Sequence, residues 1–129
     1  MNYKEALEEV GKIVDDLIEE NKKVPIIVEG EKDVAALRKL GINGKIIRIN
    51  SGKSLTDFCD RLADFYEEII ILTDWDRRGG ILCAIIKRNL RGRVKCNLEY
   101  RERFARCITI RKVEGIPSWI ETLRRRLKV

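Results

Sequence analysis

The feature that most limits the fold of this 129-residue chain is a series of short apolar runs at nearly even spacing. Val24-Pro25-Ile26-Ile27-Val28 and Ile69-Ile70-Ile71-Leu72 are apolar at successive positions, so both faces of each segment must be covered. Pro25 suits the first residue of a strand, where no ladder donor is needed. Lys45 to Ile49 is a further strand candidate, and Val94, Cys96 and Leu98 alternate with polar residues as an edge strand does. The four centres lie near residues 27, 47, 71 and 95, about one strand–helix unit apart. Between them the apolar residues recur at steps of three and four. Val34, Leu37 and Leu40 form one stripe, with Gly41 placed to end it. Leu55, Phe58, Cys59, Leu62, Ala63 and Tyr66 form a second, and Ile81, Leu82, Ile85, Ile86 and Leu90 a third. Strands alternating with helices, without a hairpin signal, predict an α/β fold: a Rossmann-like parallel sheet of about four strands flanked by helices.

The flanks add helices. Tyr3, Ala6, Leu7, Val10, Ile13, Val14, Leu17 and Ile18 predict an amphipathic N-terminal helix over residues 3–21. Tyr100, Phe104, Cys107 and Ile108 suit a helix, although 107–113 equally suits a short strand. Pro117 opens a terminal helix that carries Ile120, Leu123 and Leu127 on one face and Arg124, Arg125 and Arg126 on another. No linker or low-complexity segment interrupts the chain. The expectation is therefore one domain over residues 1–129, with a core of about 24–100 and a basic helical extension over 100–129. A chain of this size buries about two thirds of its unfolded surface and needs no disulfide or structural metal to fold.

Several chemistries are excluded by composition. There is no histidine, which removes histidine general bases, imidazole metal ligands and histidine-dependent nucleophiles. Cys59, Cys83, Cys96 and Cys107 contain no C-x-x-C pair and sit in apolar or amphipathic stretches. They read as free thiols in a reducing compartment rather than as disulfides or a zinc knuckle. The longest apolar run, Ile81 to Ile86, is far shorter than the roughly 20 residues needed to span a bilayer. The N-terminus places acids where a signal peptide needs an apolar core, so a cytoplasmic location without membrane association is expected.

Charge is distributed unevenly. Residues 1–76 hold 11 Lys/Arg and 17 Asp/Glu, whereas residues 77–129 hold 16 Lys/Arg and 4 Asp/Glu, within an overall net charge of +6. The basic half predicts a polyanionic partner, a nucleic acid, with Arg124, Arg125 and Arg126 among the binding residues. The acidic half raises the question of what its carboxylates hold.

In open parallel sheets, ligands lie at the carboxyl ends of the strands. Two predicted strands end in acids there: Ile26-Ile27-Val28-Glu29-Gly30 and Ile70-Ile71-Leu72-Thr73-Asp74-Trp75-Asp76. If these strands are neighbours, their ends lie about 5 Å apart and Glu29, Asp74 and Asp76 converge. Three adjacent carboxylates require raised pKa values or a bound cation. Oxygen-only ligands suit Mg²⁺, with Mn²⁺ as a substitute, and a partly hydrated Mg²⁺ completes its shell with phosphate oxygens. Around these acids, Gly30 permits a tight turn, while Gly79 and Gly80 open a helix whose N–H groups face an anion. Arg77 and Arg78 are placed for phosphate, and Lys53 could reach it from a strand-end loop.

Glu29-Gly30-Glu31-Lys32-Asp33 reads E-G-x-x-D, and Asp74-Trp75-Asp76-Arg77-Arg78-Gly79 reads D-x-D-x-x-G. Following the first and third predicted strands, in this order, they resemble the two motifs of the Toprim domain. That domain is shared by topoisomerases, bacterial-type primases, OLD-type nucleases and a small ribosomal-RNA maturase. The resemblance covers about residues 24–100. It implies that Glu29 is a general acid/base that also ligates metal, that Asp74 and Asp76 bind metal, and that Asp33 is the acid in the following helix. For Asp33 a simple helix-start carboxylate is an equal alternative. Gly52 resembles the small-residue loop after the second strand. The length leaves no room for a strand-passage module or a primase partner domain. The resemblance therefore points to a small stand-alone member acting as an Mg²⁺-dependent nuclease, as in RNA processing. The competing reading is a non-catalytic RNA- or DNA-binding module of a larger complex.

Three further readings remain open or are set aside. Trp75, between the aspartates, either packs beneath the site or stacks on a base. Ser51-Gly52-Lys53-Ser54 lacks the earlier glycine of a P-loop, since position 47 is Ile47. Arg78 stands where an aspartyl-nucleophile phosphatase has Thr or Val.

Overall fold

The computed structural model describes residues 1–49 and 54–129. In chain order the elements are α1 (Tyr3–Asn21), β1 (Ile26–Val28), α2 (Glu31–Lys39), β2 (Ile46–Arg48), α3 (Leu55–Phe65) and β3 (Glu68–Ile71). They continue with α4 (Arg77–Leu90), β4 (Lys95–Asn97), α5 (Glu99–Cys107), a 3₁₀ turn (Val113–Gly115) and α6 (Ile116–Leu127). The predicted Rossmann-like arrangement is present. All three strand pairings are parallel, and the order across the sheet is β2-β1-β3-β4.

The burial of the two central strands explains their composition. Ile26, Ile27 and Val28, and Ile69 to Leu72, have no exposed surface. Alternate residues point to opposite faces. Ile26, Val28, Ile70 and Leu72 pack beneath α1, α2, α5 and α6, with Val10, Ile13, Leu17, Leu37 and Phe104. Ile27, Ile69 and Ile71 pack against α3 and α4, with Phe58, Cys59, Leu62, Cys83 and Ile86. Each such side chain contributes about 1.5–3 kcal/mol of apolar burial, so two covered faces favour β-branched residues at every position. β2 and β4 are the edges, and they are more exposed.

Gly41 ends α2 as predicted. Its φ of +89° lies in the left-handed region, and its N–H returns to the Arg38 carbonyl. Residues 107–113 contain no strand. α5 ends at Cys107, and the following segment crosses the carboxyl end of the sheet, where the Trp75 N–H bonds to the Arg111 carbonyl. All four cysteines are free, and burial pushes each thiol above its ordinary pKa. Among the described residues no helix is long and apolar enough to cross a membrane.

Candidate functional site

From β1 the chain passes through α2 to β2 on one side, while β3 and β4 lie on the other. That reversal makes the carboxyl ends of β1 and β3 the switch point of the sheet, the place where open sheets take their ligands. Glu29 follows β1 and Asp74 lies just beyond β3. Although 45 residues apart in sequence, they are joined: Glu29 Oε2 accepts from the Asp74 N–H at 2.8 Å.

The loop after β3 is tightly held. Thr73 is fully buried and its hydroxyl donates to the Gly79 carbonyl at 2.8 Å. Arg101 of α5 donates through Nε to the Thr73 carbonyl at 3.1 Å and through Nη2 to the Asp74 carbonyl at 2.8 Å. Asp74 Oδ1 accepts from the Val113 N–H at 2.9 Å. Asp76 is the N-cap of α4, and its Oδ1 accepts from the Gly79 N–H at 2.7 Å. A Cβ on Gly79 would overlap the Asp74 carbonyl, so glycine is required there by close packing.

Two glycine expectations need correction. The N–H groups of Gly79 and Gly80 do not face an anion, because the Asp76 side chain and carbonyl already accept from them. Gly30 forms no tight turn. It is extended, with open space where a Cβ would stand. Its N–H donates to Asp33 Oδ2 at 3.0 Å, closing the first turn of α2. Asp33 is thus a helix-start carboxylate that also faces the site. Burial and then the Asp74 charge raise its pKa.

Asp74 carries the clearest electrostatic signature. Burial, followed by the Glu29 and Asp76 charges, pushes its carboxyl up to about 6, against the pull of the Val113 N–H and Lys112. Among the described residues none of Glu29, Asp33, Asp74 or Asp76 forms an ion pair. Nor do three carboxylates there form a ready-made metal cage. The expected convergence is therefore looser than a single point, because each carboxylate has turned one oxygen toward a backbone N–H. The donor chemistry still suits a hard cation. Every donor is oxygen, Lys112 offsets the mutual repulsion only at a distance and without an ion pair among the described residues, and Mg²⁺ is usually held by only one or two carboxylates plus water and phosphate.

The basic residues are divided. Arg77 and Arg78 are exposed in the first turn of α4, beside Asp76, with no ion pair among the described residues. Arg124, Arg125 and Arg126 are exposed at the far end of α6, where the Arg126 guanidinium lies 5.8 Å from the Tyr3 ring. No contact joins them to the carboxylates. Lys53 and Gly52 lie outside the described residues. Trp75 packs as a structural residue should, stacked on Phe104 at 5.9 Å with its indole N–H donating to the Ile110 carbonyl at 2.7 Å. Arg101, Thr73 and Val113 were not anticipated. An arginine beside the buried stripe of α5 was the one signal available.

Comparison with known proteins agrees with this geometry. The Toprim domain model matches residues 24–107. A UPF0292 protein of Thermoplasma volcanium, TV1259, is 41% identical over 102 residues, 78% of this chain and 86% of its own. One from Methanosarcina acetivorans is 36% identical over 127 residues, 95% of this chain and 87% of its own. One from Pyrococcus furiosus, PF1724, is 37% identical over 126 residues, 96% and 93% respectively. A solved structure, a putative protein from Aquifex aeolicus, superposes with a TM-score of 0.70 at 26% identity, over 81% of this chain and 94% of that one. The names of these relatives state no activity. Toprim domains typically bind a divalent metal and serve nucleic-acid chemistry. With both motifs joined by one hydrogen bond at the switch point and the match spanning the whole sheet, the chain belongs to the Toprim family and, within it, to the UPF0292 proteins.

Proposed function

We propose that this chain, acting as one unit over residues 1–129, cleaves a phosphodiester of nucleic acid in an Mg²⁺-dependent reaction, with Mn²⁺ as a substitute. The observation that carries the reading is the Glu29–Asp74 hydrogen bond, which fixes a glutamate against an aspartate loop that has no ion-pair partner among the described residues. Asp74 and Asp76, with Glu29, would hold the ion. When bound, it would supply charge neutralisation at the phosphate oxygens. Glu29 holds or releases the proton at the attacking or leaving oxygen through Oε1, since Oε2 is engaged by the Asp74 N–H. Arg77 and Arg78 grip the phosphates that flank the reacting one. Arg124, Arg125 and Arg126 add long-range attraction for the polyanion.

Asp76→Asn tests the reading cleanly. Asparagine caps a helix as well as aspartate does, so α4 keeps its start while the charge is lost. Mg²⁺-dependent cleavage should disappear while nucleic-acid affinity changes less than about threefold. If the wild-type protein with Mg²⁺ or Mn²⁺ cleaves neither structured RNA, single strands nor duplex DNA, the catalytic reading fails. A nucleic-acid-binding module would then be the better description.

A further inference from the structure

Trp75 sits between the two aspartates, and its indole is immobilised. Its main-chain N–H bonds to the Arg111 carbonyl at 3.0 Å and its indole N–H to the Ile110 carbonyl at 2.7 Å, and Phe104 stacks on the ring at 5.9 Å with an interplanar angle of 14°. Trp75 is nevertheless only half-buried, and it lines a cavity of about 390 Å³. Arg106 and Arg111 supply two exposed cations in that lining, with Thr109 as a hydroxyl. Neither arginine has an ion-pair partner among the described residues. Among the described residues the lining contains no carboxylate, whereas of the cavities along α1 and α5 one, which shares Arg106 at its border, includes Glu9, Glu99 and Glu102, and the other Asp16, Glu19 and Glu20. Another acid-free cavity, with Arg48, Arg61 and Phe65, lies along edge strand β2 and includes none of the site acids or their chain neighbours.

A rigid aromatic surface, two unpaired guanidiniums and no acid form a receptor for one nucleotide. The ring takes the π-face of a base and the cations take its phosphate. The volume falls within the range of small-molecule sites. Inside a duplex both faces of each base are already stacked on neighbours, so away from a duplex end only an unpaired base offers a free face.

We infer that this notch seats an unpaired nucleobase next to the reacting phosphate, so that the substrate is single-stranded at that nucleotide. The inference rests on the phosphodiester reading above and specifies its substrate class. Trp75 here is a substrate-binding residue, and its rigidity is what makes stacking favourable, since no side-chain freedom is lost when the base arrives.

The test uses the full chain carrying Trp119→Phe, which leaves Trp75 as the sole tryptophan. Its emission is followed during titration with an eight-nucleotide oligo(dT), an eight-nucleotide oligo(U) and a blunt DNA duplex, at low salt. Either single strand should quench the emission saturably, and the duplex should not; the two oligonucleotide arms separate DNA from RNA. By fluorescence anisotropy of a labelled single strand, Trp75→Leu should weaken binding about tenfold, and Trp75→Phe much less. Replacing the exposed pair, Arg106→Ser with Arg111→Ser, should flatten the salt dependence by roughly 0.7 per lost contact, without risk to the core. Quenching without any cleavage would sink the catalytic reading and leave the notch as a binding site. Cleavage with no Trp75 response, or with an unchanged salt slope in the arginine variant, would overturn the notch. Equal quenching by duplex would overturn it as well.

Discussion

The two ends of the same sheet use polar atoms in opposite ways. At the amino end, the buried Asn21 of α1 donates to the Val24 carbonyl at 3.0 Å and the Lys45 carbonyl at 2.9 Å, tying the entrances of β1 and β2 together. Gly44 packs so closely on Asn21 that no Cβ would fit there. These contacts are neutral and hold the chain in place. At the carboxyl end, Glu29, Asp33, Asp74 and Asp76 gather with no ion pair among the described residues, and Asp74 is held near pKa 6. The first arrangement fixes the chain through two amide N–H bonds, although the Asn21 Oδ1 is buried without a partner. The second leaves repulsion that a bound cation would relieve.

If this contrast is right, variants at the two ends separate activity from stability. The largest effect is expected from Glu29→Gln, which keeps an oxygen for the Asp74 N–H but removes the proton-transfer group. Turnover of a cleavable oligonucleotide should fall by about 10²–10⁴-fold, with little change in melting temperature. A loss of folding instead would make Glu29 a structural residue. Next, Asn21→Ala deletes both amide bonds at the amino end. It should cost about 1–2 kcal/mol in chemical denaturation and leave Mg²⁺ affinity, measured by calorimetry, unchanged. A weakened metal site would mean that the two ends are coupled.

The smallest effect concerns pH. The folded protein holds the Asp74 proton more tightly than an ordinary carboxyl, about 6 against 3.8. Metal-free stability is therefore greater below the ordinary value and is lost as pH rises from about 4 to about 6. Because Asp74 is only half-buried, solvent screening reduces the effect to on the order of 1 kcal/mol. Asp74→Asn should remove that slope and melt higher than the wild type at neutral pH. Mg²⁺ should stabilise the wild type above pH 6 and not the variant. An identical slope in both proteins would place the titration elsewhere.

The sheet was legible because burial on both faces leaves an unbroken β-branched run, as in Ile26-Ile27-Val28 and Ile69-Ile70-Ile71-Leu72. The acids stood out because strand ends are where open sheets place ligands, although Asp76 also caps α4 and Asp33 closes the first turn of α2. The supports of Asp74 were not. Val113 acts through its backbone N–H, which every residue but proline carries, so no side-chain pattern announces it. Arg101 acts from a helix whose apolar stripe only identifies its buried side. The tightness at Gly79 was visible only as a glycine, and its cause is the nearby Asp74 carbonyl.

The region matched as Toprim ends at Cys107, yet the N–H that steadies Asp74 belongs to Val113, and the carbonyls that clasp Trp75 belong to Ile110 and Arg111. The tail is thus a brace against the loop after β3 rather than an appendage. A protein shortened to the family boundary would keep every motif residue and lose the brace behind them, so trimming by homology alone would discard part of the machinery.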